Sequence, residues 1–576
     1  MKKRTLAALL ALMLALAVLP TGSLALTIPK ASKPLEVKAG PVEINEANFP
    51  DAVFRGYVST TFDANNDDVL SEEELSAANS IFVPELGISN LKGIEYFTEI
   101  RWIECGDNQL TNLDVSNNPR LLYIYCSDNQ ITELDVSNNT TLQVLHCNNN
   151  QLTELDASNN PRLYQLYADH NQLTEINIRN NSELESLNCS HNQLTELDVS
   201  NNLALVDLNC TDNQLTELDI SNNIQLSELT VGSNQLTEID ARNNNMLTLL
   251  GCSDNLLTKI DISNSTSLTL LSFYNNQLTE LDVSNNTMLE YLFGSNNQLT
   301  ELDVSNNTAL VTLDCENNQL TELDVSYNTA LSGLVCTNNQ LTELDVSYNT
   351  ALSNLRCSSN RLTELDVSNN TMLYFLHCYD NQLTELDVSS NTALADLKCY
   401  DNQLTELDVS NNSELICVKA YDNNLTSLDF SNCPYLSIIS CDNNIYTAAF
   451  TADGTLDLTT LPGSFDVTRA SNWVGGSVDG TMLTLDEGST QVTYTYDCGA
   501  NVMIDFTICT VGSTPSIPGD ANGDGAVDMQ DALLVMRHAL SLTTLSDEAI
   551  ALCDMNGDGE ITILDATLIM RAALGF

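Results

Sequence analysis

Two short acidic loops near the C-terminus hold the residues of this sequence that are best suited to bind a metal. They begin at Asp520 and Asp554, which are 34 residues apart. In each loop, oxygen-bearing residues recur at the spacing with which one loop wraps around a large, hard cation, so the sequence predicts two calcium sites. The predicted ligands, with a backbone carbonyl at the fourth of each set, are Asp520, Asn522, Asp524, Ala526, Asp528 and Asp531, and then Asp554, Asn556, Asp558, Glu560, Thr562 and Asp565.

A third loop of the same spacing lies near the N-terminus and resembles an EF-hand. Leu70 holds the apolar eighth position, and Asp68 stands where such loops have glycine, which strains the turn. The loop precedes the first repeat described below, so we interpret residues 44–85 as a calcium-stiffened cap of mainly helical structure. An acidic surface loop is the alternative. The predicted ligands are Asp63, Asn65, Asp67, Val69, Ser71 and Glu74.

The elements that must position these loops are organised by a repeat. One asparagine, here called the ladder asparagine, recurs every 21 residues from Asn108 to Asn444 without an insertion. Units this short cannot bury their own leucines, so the period predicts a solenoid over residues 86–445. The pattern Leu-x-x-Leu-x-Cys-x-x-Asn-x-Leu resembles the short, internalin-like bacterial leucine-rich repeat. That resemblance implies a parallel β-sheet on a concave face.

Twelve of the 17 cysteines fall three residues before a ladder asparagine. The same column accepts Ala168, Val231, Phe273 and Ala420, so we interpret these thiols as small buried apolar groups. A metal-binding or redox column is the alternative.

The charge balance limits the possible partners. The formal net charge of −57 argues against nucleic acid and against an anionic membrane surface. Residues 1–25 have the basic start, apolar run and small-residue ending of a signal peptide. No second apolar run is long enough to span a membrane. We therefore expect a secreted, extracellular protein without membrane insertion, in which residues 26–43 form a linker.

The outward strand positions vary freely between repeats and form a candidate ligand patch near the end of the repeats. Three tyrosines there occupy one column of successive units, beside clustered cations. This arrangement suits an unknown protein or polysaccharide ligand, although stacked rings also stabilise a sheet by themselves. The ligand patch comprises Arg356, Phe375, His377, Tyr379, Lys398, Tyr400, Lys419 and Tyr421.

After the repeats, alternating segments and turn residues predict a small β-sandwich over residues 446–511. Residues 455–459, 463–467, 481–485 and 491–496 are the expected strands. Cys498 and Cys509 are candidates for a pairing that sequence alone does not fix. Residues 512–518 are a short, stiff linker.

The last segment, residues 519–576, repeats a calcium loop followed by an apolar helix and resembles a type I dockerin. The resemblance implies folding on calcium and docking into a cohesin module of a scaffoldin, as in cellulosomes. Aspartate replaces the usual glutamate at position 12 of both loops. The residues that the resemblance places against cohesin are Met529, Gln530, Met536, Arg537, Ile563, Leu564, Met570 and Arg571.

No motif of a nucleophile elbow, phosphate-binding loop or dinucleotide-binding fingerprint occurs in the sequence. We therefore expect a non-catalytic, calcium-dependent component of a cellulosome-like assembly whose solenoid presents a recognition face. The alternatives are an internalin-like adhesin that binds a host or bacterial surface protein, a carbohydrate-binding module, and an enzyme whose site lies in the solenoid.

Overall fold

The computed structural model describes residues 40–511, 518–522, 527–540, 543–545, 547–557 and 559–573. The predicted signal peptide, most of both predicted linkers, and the predicted ligands Asp524, Ala526 and Asp558 lie outside the described residues. The chain divides after Leu352 into two compact units, which are described in turn.

The first unit begins with the loop that resembles an EF-hand. Its elements are strand β1 (Val42–Glu43), helix α1 (Ala52–Phe62), strand β2 (Val69–Leu70) and helix α2 (Glu72–Ala77). Strands β1 and β2 pair antiparallel, with Val42 opposite Leu70. The ordered cap thus begins two residues before the predicted boundary, because β1 gives the loop strand a hydrogen-bonding partner.

Helix α1 packs against the start of the repeats. The Phe82 N–H donates to the Tyr57 hydroxyl at 3.0 Å, and the Asp51 carboxylate that caps α1 also accepts from the Ser89 N–H at 3.0 Å. Phe62 meets Phe97, which follows a 3-10 helix (Ile94–Tyr96), with ring centroids 4.9 Å apart. These contacts cover the first buried side chains of the repeat core.

The repeats of the first unit form a parallel sheet of three-residue strands. From Trp102 onward each residue pairs with the residue 21 positions later, as Leu208 does with Leu229, whereas Ser80 pairs with Trp102, 22 positions later. The strands are β3 (Ser80–Phe82), β4 (Trp102–Glu104), β5 (Tyr123–Tyr125), β6 (Val144–His146), β8 (Gln165–Tyr167), β10 (Ser186–Asn188), β11 (Asp207–Asn209), β12 (Glu228–Thr230), β14 (Leu249–Gly251), β16 (Leu270–Ser272), β17 (Tyr291–Phe293), β18 (Thr312–Asp314) and β19 (Gly333–Val335).

Two further parallel pairs form elsewhere on the coils, β7 (Glu154–Asp156) with β9 (Glu175–Asn177) and β13 (Glu238–Asp240) with β15 (Lys259–Asp261). In the main sheet the central residue of each strand is buried and its neighbours face outward, because successive strand side chains point to opposite sides. The predicted solenoid class is confirmed.

The ladder asparagines join the coils as the sequence predicts. The Asn297 amide donates to the carbonyl of Phe273 in the preceding coil at 3.1 Å, and its side-chain oxygen accepts from the Leu278 N–H at 3.1 Å. The residue before each ladder asparagine, such as Asn296, has φ between 38° and 55°. Aspartate and asparagine tolerate this left-handed conformation, which explains their frequency at that position.

A second asparagine column, which the sequence reasoning missed, lies inside the coils. Asn307 is fully buried, and its amide donates to the carbonyls of Val283 and Asn286 at 3.0 and 2.9 Å. The column stands ten residues after each ladder asparagine, where the sequence suggests a simple polar turn. Ser265 and Cys433 replace asparagine at two of its positions.

The cysteine column is buried, and its thiols are free rather than paired. Burial raises the pKa of Cys126 to about 12, so this thiol stays protonated near neutral pH. The prediction of small buried apolar groups is confirmed. Phe273 fits the column because the next coil has Gly294, where an added Cβ would lie 2.2 Å from the Phe273 ring.

The second unit continues with five parallel repeat strands and then a seven-stranded region. The repeat strands are β20 (Asn354–Arg356), β21 (Phe375–His377), β22 (Asp396–Lys398), β23 (Cys417–Lys419) and β24 (Ile438–Ser440). The later strands are β25 (Asn444–Ala448), β26 (Thr455–Asp457), β27 (Ala470–Val474), β28 (Gly476–Asp479), β29 (Met482–Leu485), β30 (Gln491–Asp497) and β31 (Met503–Thr510).

The later strands form a four-stranded sheet, in the order β25-β31-β30-β27, and a three-stranded sheet, in the order β26-β29-β28. The first of them starts at Asn444, before the predicted boundary. The expected strand at 463–467 is wrong: Gly463 and Ser464 have positive φ, and a 3-10 helix (Val467–Arg469) follows, capped by Asp466. Another 3-10 helix spans Leu458–Thr460. Cys498 and Cys509 stay unpaired, since Cys509 lies opposite Gln491, at the far end of β30 from Cys498.

The C-terminal segment contains helices α3 (Met529–Ala539), α4 (Asp547–Cys553) and α5 (Ile563–Ala573). Their common core consists of small and branched apolar side chains, namely Ala521, Ala532, Val535, Cys553, Ala566 and Ile569. Across the described part of the chain, no helix has the length and apolar character needed to cross a membrane.

Candidate functional site

The two C-terminal loops close on their last carboxylates in the same way. Asp531 accepts from the N–H groups of Ala521 and Asp528 at 3.0 and 2.9 Å. Asp565 accepts from the equivalent N–H groups of Met555 and Thr562 at 3.1 and 2.9 Å. Both carboxylates are fully buried. Each loop therefore arranges its position-12 oxygen at the point where the loop meets its helix.

The N-terminal loop has the same closure. Glu74 accepts from the N–H groups of Ala64 and Ser71 at 2.7 and 2.9 Å, which are loop positions 2 and 9. These hydrogen bonds lower the pKa of Glu74, the bond from Ser71 most. Asp68 has φ of 61°, as Gly559 has φ of 83° at the same position of the last loop. The aspartate thus adopts the turn that glycine would, with its N–H donating to Asp63 at 3.0 Å.

The donor set of the three loops fits calcium. The described predicted ligands offer carboxylate, amide, hydroxyl and carbonyl oxygen, which are the groups that Ca²⁺ prefers. Within the described ranges, the side chains of His, Cys, Asp and Glu form no group of three that could hold a metal. That finding leaves out Asp524, Ala526 and Asp558, which lie outside those ranges.

Helices α3 and α5 expose matching faces next to their loops. Met529 and Gln530 at the start of α3 are exposed, as are Ile563 and Leu564 at the start of α5. Arg537 is also exposed on α3. Arg571 is its counterpart on α5 and is exposed too. The structure therefore places six of the eight predicted contact residues on open helix faces.

The other two predicted contacts, Met536 and Met570, are partly buried and pack against the core of the segment. Leu533 belongs to the exposed face of α3 but was missed by the sequence reasoning, although it lies one helical turn from Met529 and from Arg537. Because helix residues four positions apart lie on the same face, the exposed position of Met529 predicts that of Leu533.

The ligand patch of the repeats is brought together by the strand register. Arg356 pairs with His377, His377 with Lys398, and Lys398 with Lys419 on successive strands. Adjacent parallel strands lie about 4.8 Å apart, so these side chains form one continuous column. Phe375 lies on the same strand as His377 and faces the same side of the sheet.

The three tyrosines of the patch stack on one another. The ring centroids of Tyr379 and Tyr400 are 4.4 Å apart, and those of Tyr400 and Tyr421 are 4.3 Å apart, with the ring planes within 13° of parallel. Both faces of Tyr400 are covered, and burial followed by the neighbouring phenols raises its pKa. The middle ring therefore presents its edge and hydroxyl, rather than the open face that sugar stacking would need.

Asp396, which the sequence reasoning left out of the patch, lies among its cations. The His377 Nε2 atom is 3.2 Å from the Asp396 Oδ2 atom, and the Lys398 Nζ atom is 3.5 Å from the same oxygen. Burial would raise the pKa of Asp396, but the hydrogen bond from His377 and the nearby charges lower it overall. Burial also lowers the pKa of His377, so this imidazole is largely neutral at pH 7.

Comparison with known proteins assigns both modules. The type I dockerin domain family matches residues 518–574. The functional domain of InlJ from Listeria monocytogenes, described as including a cysteine ladder, is 32% identical with a TM-score of 0.58, over 82% of this chain and 99% of that chain. Internalin J from Listeria monocytogenes serotype 4b (strain F2365) is 37% identical over 82 residues, 14% of this chain and 9% of that protein. The matched segment thus spans under a tenth of that relative.

A leucine-rich repeat protein from Leptospira interrogans shares the fold, with a TM-score of 0.52 and 22% identity over 64% of this chain and 97% of that chain. The repeat solenoid and the paired loops define a modular protein of recognition and assembly rather than a catalytic family. The chain belongs to the internalin-like leucine-rich repeat proteins and carries a type I dockerin domain at its C-terminal end.

Proposed function

We propose that the protein is a secreted, non-catalytic component of a cellulosome-type assembly. In this proposal the dockerin binds a cohesin module of a scaffoldin, and the solenoid presents a recognition surface for a protein or polysaccharide. The protein would contribute to polysaccharide breakdown by association with the assembly. The observation that carries the proposal is the duplicated calcium loop with matching exposed helix faces inside a segment that matches the type I dockerin family.

Calcium would be held in the dockerin by the twelve predicted ligands of its two loops. It would supply positive charge to loops that otherwise gather uncompensated carboxylates. The buried carboxylates of Asp531 and Asp565 connect each loop to the first turn of its helix. Calcium would therefore fix the orientation of Met529 and Gln530 on one helix and of their counterparts on the other.

Calcium in the N-terminal loop would stiffen the cap of the solenoid. Loop strand β2 pairs with β1, Tyr57 of helix α1 bonds to Phe82, and Asp51, which caps that helix, bonds to Ser89. The order of the loop and the order of the first coil therefore depend on the same hydrogen bonds. We propose that calcium at Asp63, Asn65, Asp67, Val69, Ser71 and Glu74 supports the order of the first repeats.

The test of assembly is calorimetric titration of the full chain against a panel of type I cohesins, with calcium and then with chelator. The expected result is tight binding that disappears with chelator and returns with calcium. The double variant Asp531→Ala/Asp565→Ala should lose binding, whereas Glu74→Ala, which alters the N-terminal loop, should retain it. Absence of binding to every cohesin in calcium would refute the assembly role.

An adhesin is the second candidate, and the similarity of the repeats to the functional domain of InlJ favours it. An adhesin would use the solenoid to bind a host or bacterial surface protein. Retention of the full chain on cells or mucus, together with failure to bind any cohesin, would select this function.

A further inference from the structure

The cations of the ligand patch are concentrated in one column of a strongly acidic chain. The sequence has no lysine or arginine between Lys259 and Arg356. From 353 to 445 it has four, and three of them, Arg356, Lys398 and Lys419, lie in the column. Lys398 and Lys419 are like charges on adjacent strands, an arrangement that destabilises a sheet, and the single carboxylate of Asp396 offsets it only in part. Their grouping in a chain of net charge −57 therefore points to an anionic ligand rather than to folding.

The groups beside the column favour a ligand that also carries hydroxyls. The Oδ1 atom of Asp396 is buried and has no nitrogen or oxygen donor among the described residues, and the weakly donating thiol of Cys417 lies beside it. This oxygen lies inside the protein, but the Asp396 side chain as a whole is 20% exposed, so a ligand donor would approach its Oδ2 atom, beside His377 and Lys398. Carboxylates alone cannot donate to Asp396, whereas sugar hydroxyls can both donate and accept.

The tyrosines add a polar edge rather than an apolar anchor. Stacking covers both faces of Tyr400 and the inner faces of Tyr379 and Tyr421, so the row presents mainly ring edges and three phenol hydroxyls. Tyrosine and arginine often anchor protein partners by entering a desolvated pocket. Here the rings are held against one another, so Tyr400 is not free to enter a partner's pocket. A hydroxyl row parallel to a cation column instead suits a linear, hydroxylated polyanion.

We infer that the ligand patch binds a uronic-acid polysaccharide that runs across the strands. Its carboxylates would lie on Arg356, Lys398 and Lys419, and its hydroxyls would bond to Asp396 and to the tyrosine row. A pyranose residue in an extended chain spans a length similar to one coil spacing, which allows sugars and coils to stay in step. The inference deepens the proposed recognition role of the solenoid and rests on it.

A row of carboxylates borders the patch on the far side of the tyrosines. The pKa of Asp401 is raised to about 6 by partial burial and by the neighbouring carboxylates of Asp422 and Asp380. These charges would repel a polyanion that drifted across the tyrosine row. They therefore confine it to the cation column.

The test is calorimetry of the full chain with a short galacturonate oligomer, which is too short to gel with calcium. The comparison ligands are a neutral gluco-oligosaccharide of equal length and poly-glutamate. We expect binding of the galacturonate that weakens with added salt, at least tenfold weaker binding by Lys398→Gln/Lys419→Gln, and little binding of the other two ligands. The matched control Arg179→Gln/Lys259→Gln makes the same charge change outside the patch and should bind as the original chain does.

Absence of galacturonate binding, equal binding of the neutral oligosaccharide, or equal loss in the control variant would overturn the inference. Stronger binding of poly-glutamate would also overturn it and would indicate an acidic protein partner. Cohesin titration of the same Lys398→Gln/Lys419→Gln variant separates the two proposals, because the dockerin lies outside the patch. In this variant we expect cohesin binding to be retained. In the original chain, cohesin binding without galacturonate binding would refute the inference alone, and galacturonate binding without cohesin binding would refute the assembly role alone.

Discussion

Arg469 and Asp429 form a two-pronged ion pair between the seven-stranded region and the last repeat coil of the second unit. The Arg469 Nη1 and Nη2 atoms lie 2.9 and 3.2 Å from the two carboxylate oxygens of Asp429. The Arg469 Nε–H also donates to the Asp497 carbonyl at 2.6 Å, at the end of β30. Arg469 thus holds the strand region to the coil, because it donates to an acceptor in each.

Replacement of this carboxylate should destabilise the strand region. We expect Asp429→Asn to lower the free energy of unfolding by about 1 kcal/mol at pH 7, a modest value since the Asp429 side chain is more than half exposed. Urea unfolding in a Trp102→Phe background measures this, because Trp473, which stacks on Tyr494, is then the remaining tryptophan. Asp408→Asn is the control. The Asp408 carboxylate accepts from the Ser410 N–H one coil earlier, just as the Asp429 carboxylate accepts from the Ser431 N–H.

The same pair predicts a dependence on pH. The hydrogen bond from Arg469 holds the pKa of Asp429 well below its usual range. A depressed folded-state pKa contributes stability that is fully present above the unfolded pKa of about 4 and is lost as the pH falls toward the folded pKa. The difference between the original chain and Asp429→Asn should therefore shrink as the pH falls from about 4 to 2. A difference that stayed constant over this interval would contradict the ion-pair explanation.

The sequence predicts the repeats well because their period leaves one register. Leu208 and Leu229 can pair only when the strands repeat every 21 residues, and the ladder asparagines mark that interval. The sequence does not reveal the second asparagine column, because Asn306 and Asn307 together have the composition of an exposed turn. Only the position of the neighbouring coil shows which of the two asparagines is buried and which is exposed.

In the candidate sites, too, the sequence predicts the positions of residues better than their side-chain contacts. The positions of Arg356, Lys398 and Lys419 come directly from the period, so their grouping was predictable. The covered faces of Tyr400 and the contact of His377 with Asp396 depend on side-chain conformation, which spacing does not determine. In the dockerin, the burial of Met536 depends on how α3 packs, and a motif match does not contain that information.

Asn307→Ala tests the inner asparagine column. The variant loses two buried hydrogen bonds, and the carbonyls of Val283 and Asn286 keep only their backbone donors, the N–H groups of Asn286 and Leu289. We expect a cost of about 2 kcal/mol, seen as faster amide hydrogen exchange in the adjoining coils by mass spectrometry. The matched control is Asn306→Ala, which changes the exposed neighbour. Equal exchange in the two variants would show that the inner column does not stabilise the coils.

Tyr400→Ala tests the stacked tyrosines as a structural element. The substitution removes two ring contacts at 4.4 and 4.3 Å, so we expect a loss of about 1–2 kcal/mol and faster exchange on β22 and β23. Tyr400→Phe keeps both contacts and should stay close to the original stability. If both variants destabilised the sheet equally, the phenol hydroxyl rather than the ring would be the stabilising group.

The two dockerin faces should differ in their contribution to cohesin binding. Ile563 and Leu564 expose two branched aliphatic side chains at the start of α5, where α3 has Met529 and the polar Gln530. Burial of apolar surface drives association, so Ile563→Ala/Leu564→Ala should weaken binding by about 1–2 kcal/mol more than Met529→Ala/Gln530→Ala. Calorimetry of both double variants against one cohesin measures this difference. Equal small losses, with binding abolished when all four residues are replaced, would instead show that either face can serve, as the duplicated sequence permits.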